Sequence, residues 1–311
     1  MDCGGVSHLN PGTIAWFAIG GVTAAALLFV TASFYAAELF TRSKRRRVEG
    51  TPETLGLRFE EVQLRTPDNV ILRGWFLDSP GARATVIVVH DGTGTRTDQS
   101  QGLLQLQRDY VNRGFNVFAF DLRGRGESTG MRDRLGSGEQ RDVAVAIAYV
   151  RRRTEGLPLV LHGFGLGASL VISTVAAGAP ADAVIADSPF ASAREQLRFR
   201  WARVPDLLFN SACWIARRLY SADVDSLTPQ DAIISMGETP VLMIHGDSDE
   251  VIPLANSLNI VAATLNEGVD LWVVPEARHC RAYADNRDAY LKHCLTFIDE
   301  AVPRRLLAAV G

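Results

Sequence analysis

The sequence predicts an α/β protein with a mostly parallel sheet, carried behind a membrane-spanning helix. Three observations predict it. From about residue 57 onward, short runs rich in Val, Ile and Leu alternate with helical stretches, and strand–helix alternation builds parallel sheets. Two β-prone runs joined by a tight turn come first, adding an antiparallel hairpin. Ahead of everything, Ile14–Ala37 is a run of 24 residues without a charged side chain.

That run is long enough for a span. At about 1.5 Å per residue it gives roughly 36 Å of helix, against a hydrocarbon core of about 30 Å. Trp16 and Tyr35 stand near its two ends, as interfacial aromatics do. Arg42, Lys44, Arg45, Arg46 and Arg47 follow, and Asp2 is the only charged side chain before it. The positive-inside rule then places residue 42 onward in the cytoplasm and the short N-terminus outside. A cleaved signal peptide has its basic residues first and an apolar segment of only about 7–15 residues. The basic cluster reads as a topology signal, with headgroup contact as the alternative. Residues 42–56, with Gly50, Pro52 and Gly56, read as a basic juxtamembrane linker between the anchor (1–41) and a domain spanning 57–300. A C-terminal tail, 301–311, completes the chain.

In the domain, residues 57–65 and 70–78 form the hairpin, turned by Pro67, Asp68 and Asn69. Six apolar runs follow, at 85–89, 116–120, 157–161, 183–186, 241–244 and 270–274, each suited to a strand buried on both faces. Eight strands result. Residues 139–153 carry a helical stripe of Val143, Ala146, Ile147 and Val150. Residues 166–177 and 285–300 are further helices. Residues 191–238 interrupt the rhythm with Phe199, Trp201, Phe209, Trp214 and Tyr220 among arginines. They read as a helical cap whose aromatics pack on the core, line a pocket or touch the bilayer.

Composition excludes several classes. Of 311 residues, 32 are Lys or Arg and 35 are Asp or Glu, for a net charge of −3, so nucleic acid is not an expected partner. The four cysteines, Cys3, Cys213, Cys280 and Cys294, form neither a CxxC pair nor a disulfide framework. No metal or cofactor is expected, and GTGTR (92–96) is too short for a P-loop. Oligomeric state is not readable.

Five segments carry chemistry: VIVVHDGTGTR (86–96), FDLRGRGESTG (120–130), LHGFGLGAS (161–169), MIHGDSDEVIP (243–253) and PEARHC (275–280). Each follows a strand, where open α/β sheets place their sites. Together they resemble the α/β-hydrolase superfamily, closest to its serine-aminopeptidase-like and acyl-protein-thioesterase-like branches, over residues 57–300. The resemblance implies a G-x-S-x-G nucleophile elbow at Gly163–Gly167, an acid at Asp249, with Asp247 as competitor, and a general base at His279. It also implies an oxyanion region at Asp91, Gly92 and Leu166.

Two departures matter. The serine position is Gly165, and neither Ser169 nor Cys280 is placed to replace it. Where relatives often carry His-Gly after the third strand, this chain reads His90-Asp91-Gly92. The Asp91 carboxylate either faces the site and opposes a developing oxyanion or points to solvent. Arg123 and Arg125 are expected to tie loops together through carboxylates. Glycine cannot form an acyl-enzyme. The favoured expectation is therefore a degenerate hydrolase-fold protein that binds a small-molecule, acyl or peptide ligand, or a partner, at the membrane face. The alternatives are hydrolysis by a water activated by Asp249 and His279, and a purely structural protein with no pocket near His279. If the rest of the site is intact, Gly165→Ser is expected to restore activity.

Overall fold

The computed structural model describes residues 10–302. The expected N-terminal and C-terminal tails fall largely outside this range. Eight strands form one sheet in the order β1-β2-β4-β3-β5-β6-β7-β8. They are β1 (Glu60–Arg65), β2 (Ile71–Leu77), β3 (Ala84–Val89), β4 (Phe115–Phe120), β5 (Leu159–Phe164), β6 (Ala183–Asp187), β7 (Val241–Gly246) and β8 (Val269–Val274). Strand β2 is antiparallel to both β1 and β4, and all other pairs are parallel. Strands β3 to β7 are buried along their whole length, as their unbroken apolar runs predict. The exception is β8, whose apolar run lies at the sheet edge and is half exposed. Composition alone does not separate an edge strand from a central one.

The helices are α1 (Pro11–Thr41), α2 (Leu103–Val111), α3 (Glu139–Arg153), α4 (Leu166–Ala176), α5 (Ala193–Arg200), α6 (Asp206–Tyr220), α7 (Pro229–Ala232), α8 (Ala255–Ala263), α9 (Ala282–Asp285) and α10 (Arg287–Ala301). Two apolar layers result. One holds α3, α4, the cap and the end of α1 on the first face of the sheet. The other holds α2 and α10 on the second. Helix α3 shows why the pattern folds this way. Its stripe Val143, Ala146, Ile147 and Val150 is buried. Glu139 and Asp142 occupy its first turn and Arg151–Arg153 its last, each sign matching the helix dipole.

Helix α1 begins with Asn10 accepting from the Gly12 amide at 3.0 Å, and Pro11 in its first turn. It is long and apolar enough to cross a membrane. From Gly12 to Leu28 every residue is exposed. Beyond that, Ser33, Ala36, Ala37 and Phe40 are buried. The Phe40 ring lies 5.2 Å from that of Trp201 and 5.5 Å from that of Phe209 in the cap.

The juxtamembrane stretch is not the free linker its composition suggests. Ser43 Oγ donates to the Gly124 carbonyl at 2.5 Å, and Arg45 donates to the carbonyls of Gly126 and Gly130, both at 3.0 Å. The loop carbonyls of residues 124, 126 and 130 need donors, and this basic segment supplies them.

The expected cap lies between β6 and β7 as α5, α6 and α7. Its aromatics divide. Phe209 is buried and Trp201 is partly covered, while Phe199 and Trp214 are 54% and 62% exposed.

Candidate functional site

The site sits at the C-terminal ends of β3, β5, β7 and β8. Between β5 and α4 the chain turns sharply. A side chain on Gly163 would overlap the backbone of Gly167, and one on Gly167 would overlap the carbonyls of Val89 and His90. At the tip, Gly165 adopts φ +53° and ψ −113°, a strained region for any residue with a Cβ. The expected elbow is therefore present as backbone.

What fills its tip is Asp91, from the loop after β3. Asp91 Oδ1 accepts the Leu166 amide at 3.0 Å, and Oδ2 takes the Thr93 hydroxyl at 3.3 Å. A Cβ built on Gly165 would collide with Asp91 Oδ1 and come within 2.7 Å of its Cγ. Asp91 thus faces inward, and its carboxylate holds the space of the missing side chain. Gly92 packs on Leu166, with a built Cβ 3.2 Å from the Leu166 side chain, while its carbonyl accepts from Arg125 Nε.

His279 completes the arrangement. Its Nδ1 lies 2.7 Å from Asp249 Oδ2, and its Nε2 lies 3.9 Å from Asp91 Oδ1. Asp249 is fixed by accepting the amides of Val251 and Ile252 at 2.9 and 2.8 Å. The competitor Asp247 is exposed, and caps Glu276 at 2.7 Å instead. A chain of carboxylate, imidazole and carboxylate results. Burial works against charge on the ring, and the flanking Asp249 and Asp91 carboxylates act the other way, raising His279 above the usual histidine range. Burial likewise opposes charge on Asp91, and His279 with the Leu166 and Gly92 amides overcomes it, holding the carboxyl below the usual range.

The candidate substitutes do not take the nucleophile's place. Ser169 is buried in α4, where its hydroxyl bridges the Phe190 backbone at 3.0 and 3.2 Å. Cys280 Sγ lies 3.5 Å from His279 Nε2. It is fully buried, and burial pushes its thiol up to about 12, so the thiolate needed for attack is absent at neutral pH. Among the described residues, no group of three or more His, Cys, Asp or Glu side chains is arranged to hold a metal.

Arg123 and Arg125 tie loops together as expected. Arg123 bridges Asp142 at 2.6 Å and Asp68 at 2.7 Å. Arg125 holds Asp133 and Ser43 at 2.6 and 2.5 Å.

Above His279 lies a cavity of about 270 Å³. Its walls include Phe190, Leu197, Trp201 and Ile252, and also Leu39 and Phe40 of α1. Sequence reasoning missed the last two. Their part in the wall depends on α1 reaching the domain, for which no local signal exists.

A hairpin-led parallel sheet, a strand–turn–helix elbow, and an acid and a histidine after the last two strands define an α/β-hydrolase-fold protein. A profile of the serine aminopeptidase (S33) family matches residues 80–236, and the chain belongs to that family. The protein YfhR of Escherichia coli K12 is 30% identical over 253 residues, covering 78% of this chain and 81% of that one. The lysophosphatidylserine lipase ABHD12 of Danio rerio is 26% identical over 184 residues, 58% of this chain and 47% of that protein. The esterase Pf2001 of Pyrococcus furiosus superposes with a TM-score of 0.68 at 23% identity, over 83% of this chain and 98% of that structure; this likeness is one of fold.

Proposed function

We propose that this chain is a catalytically degenerate member of its family, a membrane-anchored binding protein built on a hydrolase scaffold. The carrying observation is the exchange at the elbow: Gly165 has no nucleophile, and the Asp91 carboxylate stands in its place on the Leu166 amide. In one well-studied serine hydrolase, loss of the nucleophile alone costs about 10⁶-fold in turnover. Asp91 adds a second obstacle. An oxyanion forming about 4 Å from its negative charge is opposed by roughly 4 kcal/mol at an effective dielectric of ~20, or about 10³-fold in rate.

The same geometry argues against a water activated by the Asp249–His279 pair. A general base needs a free lone pair on Nε2. Here Nε2 faces the Asp91 carboxylate at 3.9 Å while Nδ1 faces Asp249, and a ring flanked by two carboxylates is disposed to hold a proton on Nε2 rather than offer its lone pair.

The experiment is fluorophosphonate labelling of the full chain. The unmodified protein is expected to stay unlabelled. Gly165→Ser alone is also expected to stay unlabelled, because its side chain meets Asp91. This revises the expectation from sequence, in which serine alone restores the site. Asp91→Gly combined with Gly165→Ser is expected to label. Labelling of the unmodified protein would overturn the proposal.

A further inference from the structure

Beneath the candidate site, on the face of the sheet covered by α2 and α10, four buried side chains make one continuous hydrogen-bond chain. The Tyr110 hydroxyl of α2 lies 2.8 Å from Nδ1 of His162 on β5, and the Tyr290 hydroxyl of α10 lies 2.8 Å from its Nε2. Tyr290 also donates to Asp187 Oδ2, at the end of β6, at 2.9 Å. All four residues are buried. The chain reaches the site at two points. The Gly165 amide donates to the Asp187 carbonyl at 2.8 Å. Ser188 Oγ donates to Asp187 Oδ1 at 2.9 Å and accepts the amide of Cys280, the residue after His279, at 3.3 Å.

Every member but one is held in a single charge state. Burial pushes His162 down to about 3 and keeps the Tyr110 and Tyr290 hydroxyls well above their usual range. Asp187 is the member that titrates. Burial pushes it up to about 6 against its hydrogen bonds from Ser188 and Tyr290, while a proton on His279 lowers it and the Asp249 carboxylate raises it. The other ionisable neighbours, Tyr283 of α9 and the thiols of Cys280 and Cys294, are kept uncharged by burial. Arg113, the charged neighbour at the Tyr110 end, is paired with Asp109 at 3.6 Å.

A neutral imidazole has one N–H and a hydroxyl one O–H, so the state of one end fixes every direction along the chain. An Asp187 carboxylate only accepts. Tyr290 must then donate to it, so the Tyr290 oxygen takes Nε2–H from His162, and the bare Nδ1 takes the Tyr110 hydroxyl. A protonated Asp187 reverses this order. Ser188 already donates to Oδ1, so the added proton sits on Oδ2 and points at Tyr290. Tyr290 then donates to Nε2, and His162 carries its proton on Nδ1, toward Tyr110. The Tyr110 hydroxyl turns to its other neighbour, the Cys294 sulfur. The net change is the uptake of one proton. We propose that Asp187, Tyr290, His162 and Tyr110 form a two-state hydrogen-bond chain under the candidate site, whose direction one proton on Asp187 reverses and whose balance the charge on His279 biases. By linkage, a cavity occupant that alters the charge on His279 shifts this chain, and the chain shifts the binding of that occupant in return. This goes beyond the binding-protein reading and does not depend on it.

The test is ¹⁵N spectroscopy of the histidine-labelled full chain in detergent, with His162 assigned through its backbone resonances. With a midpoint at about 6, the Nε2–H tautomer of His162 is expected to prevail at about pH 8 by roughly 100 to 1, and the Nδ1–H tautomer at about pH 5 by roughly 10 to 1. Asp187→Asn, which stays neutral, and Tyr290→Phe, which breaks the chain, are each expected to abolish this exchange of tautomers. A folded spectrum from either one suffices. His279→Gln removes the nearby positive charge and is expected to move the midpoint to higher pH, a shift that a packing role alone does not produce. A single His162 tautomer across this range in the unmodified protein, or an imidazolium at His162, rules out the two-state chain. A midpoint that His279→Gln leaves in place rules out its link to the site.

Discussion

Gly165 and Asp91 make a reciprocal pair, and their coupling is measurable as stability. Gly165→Ala adds a single Cβ. That atom meets Asp91 Oδ1 and sits 2.7 Å from Cγ, so the carboxylate must move. At φ +53° the new side chain also strains the backbone by about 1–3 kcal/mol. Displacing Asp91 takes a charged acceptor from the Leu166 amide, 3.0 Å away, worth about 1.5–3 kcal/mol. The expected loss is roughly 3–6 kcal/mol, a large part of the ~5–15 kcal/mol that holds a domain together. At about 2–4 °C per kcal/mol for a domain of this size, the melting temperature falls by roughly 6–24 °C. Placed on an Asp91→Gly background, the same substitution meets no carboxylate, and only the strain of about 1–3 kcal/mol remains. Thermal unfolding of the four proteins of this cycle in detergent is the assay. A coupling of about 2 kcal/mol is expected. Additivity within about 0.5 kcal/mol would refute the reciprocal packing.

Two further outcomes follow from buried charge. In ¹⁵N spectra of histidine-labelled protein, the His279 ring is expected to remain an imidazolium at pH 8, and Asp91→Asn is expected to lower its titration point. Because its folded value is raised, the stability it contributes is full below about pH 6.5 and is lost only as pH rises through the raised value. A neutral ring at pH 8 in the unmodified protein contradicts the clamp. Asp187, at the end of β6, is fully buried, and desolvation pushes its carboxyl up to about 6 despite hydrogen bonds from Ser188 and Tyr290, both at 2.9 Å. The folded protein then keeps a proton that the unfolded chain releases near pH 4, so stability falls as pH rises from about 4 to 6, by up to about 3 kcal/mol. Asp187→Asn is expected to flatten that part of the stability–pH curve, and an unchanged slope in urea titrations would exclude Asp187 as its source.

The fold class, the eight strands and the position of the elbow were legible because they rest on local signals. Apolar runs mark β3 to β7, the stripe of α3 marks its buried face, and Gly163 to Gly167 mark the turn by spacing. Asp249 and His279 were singled out by their places after strands, and the fold brings them within 2.7 Å of each other. The inward turn of Asp91 was not legible. Residue 91 and residue 166 are 75 positions apart, and nothing in His90-Asp91-Gly92 says which way the carboxylate points until β3 and β5 lie side by side. The docking of residues 42–47 and the entry of Leu39 and Phe40 into the cavity wall were hidden likewise, because composition marks an anchor's length but not its landing place.

The amino-acid order alone settled that the polypeptide lacks an attacking oxygen at residue 165, since that is a matter of covalent chemistry. Assembly of the sheet decided what stands there instead and which charges are left over around it. Those outcomes depend on distances between segments remote in the chain, and such distances exist only once the layers have packed.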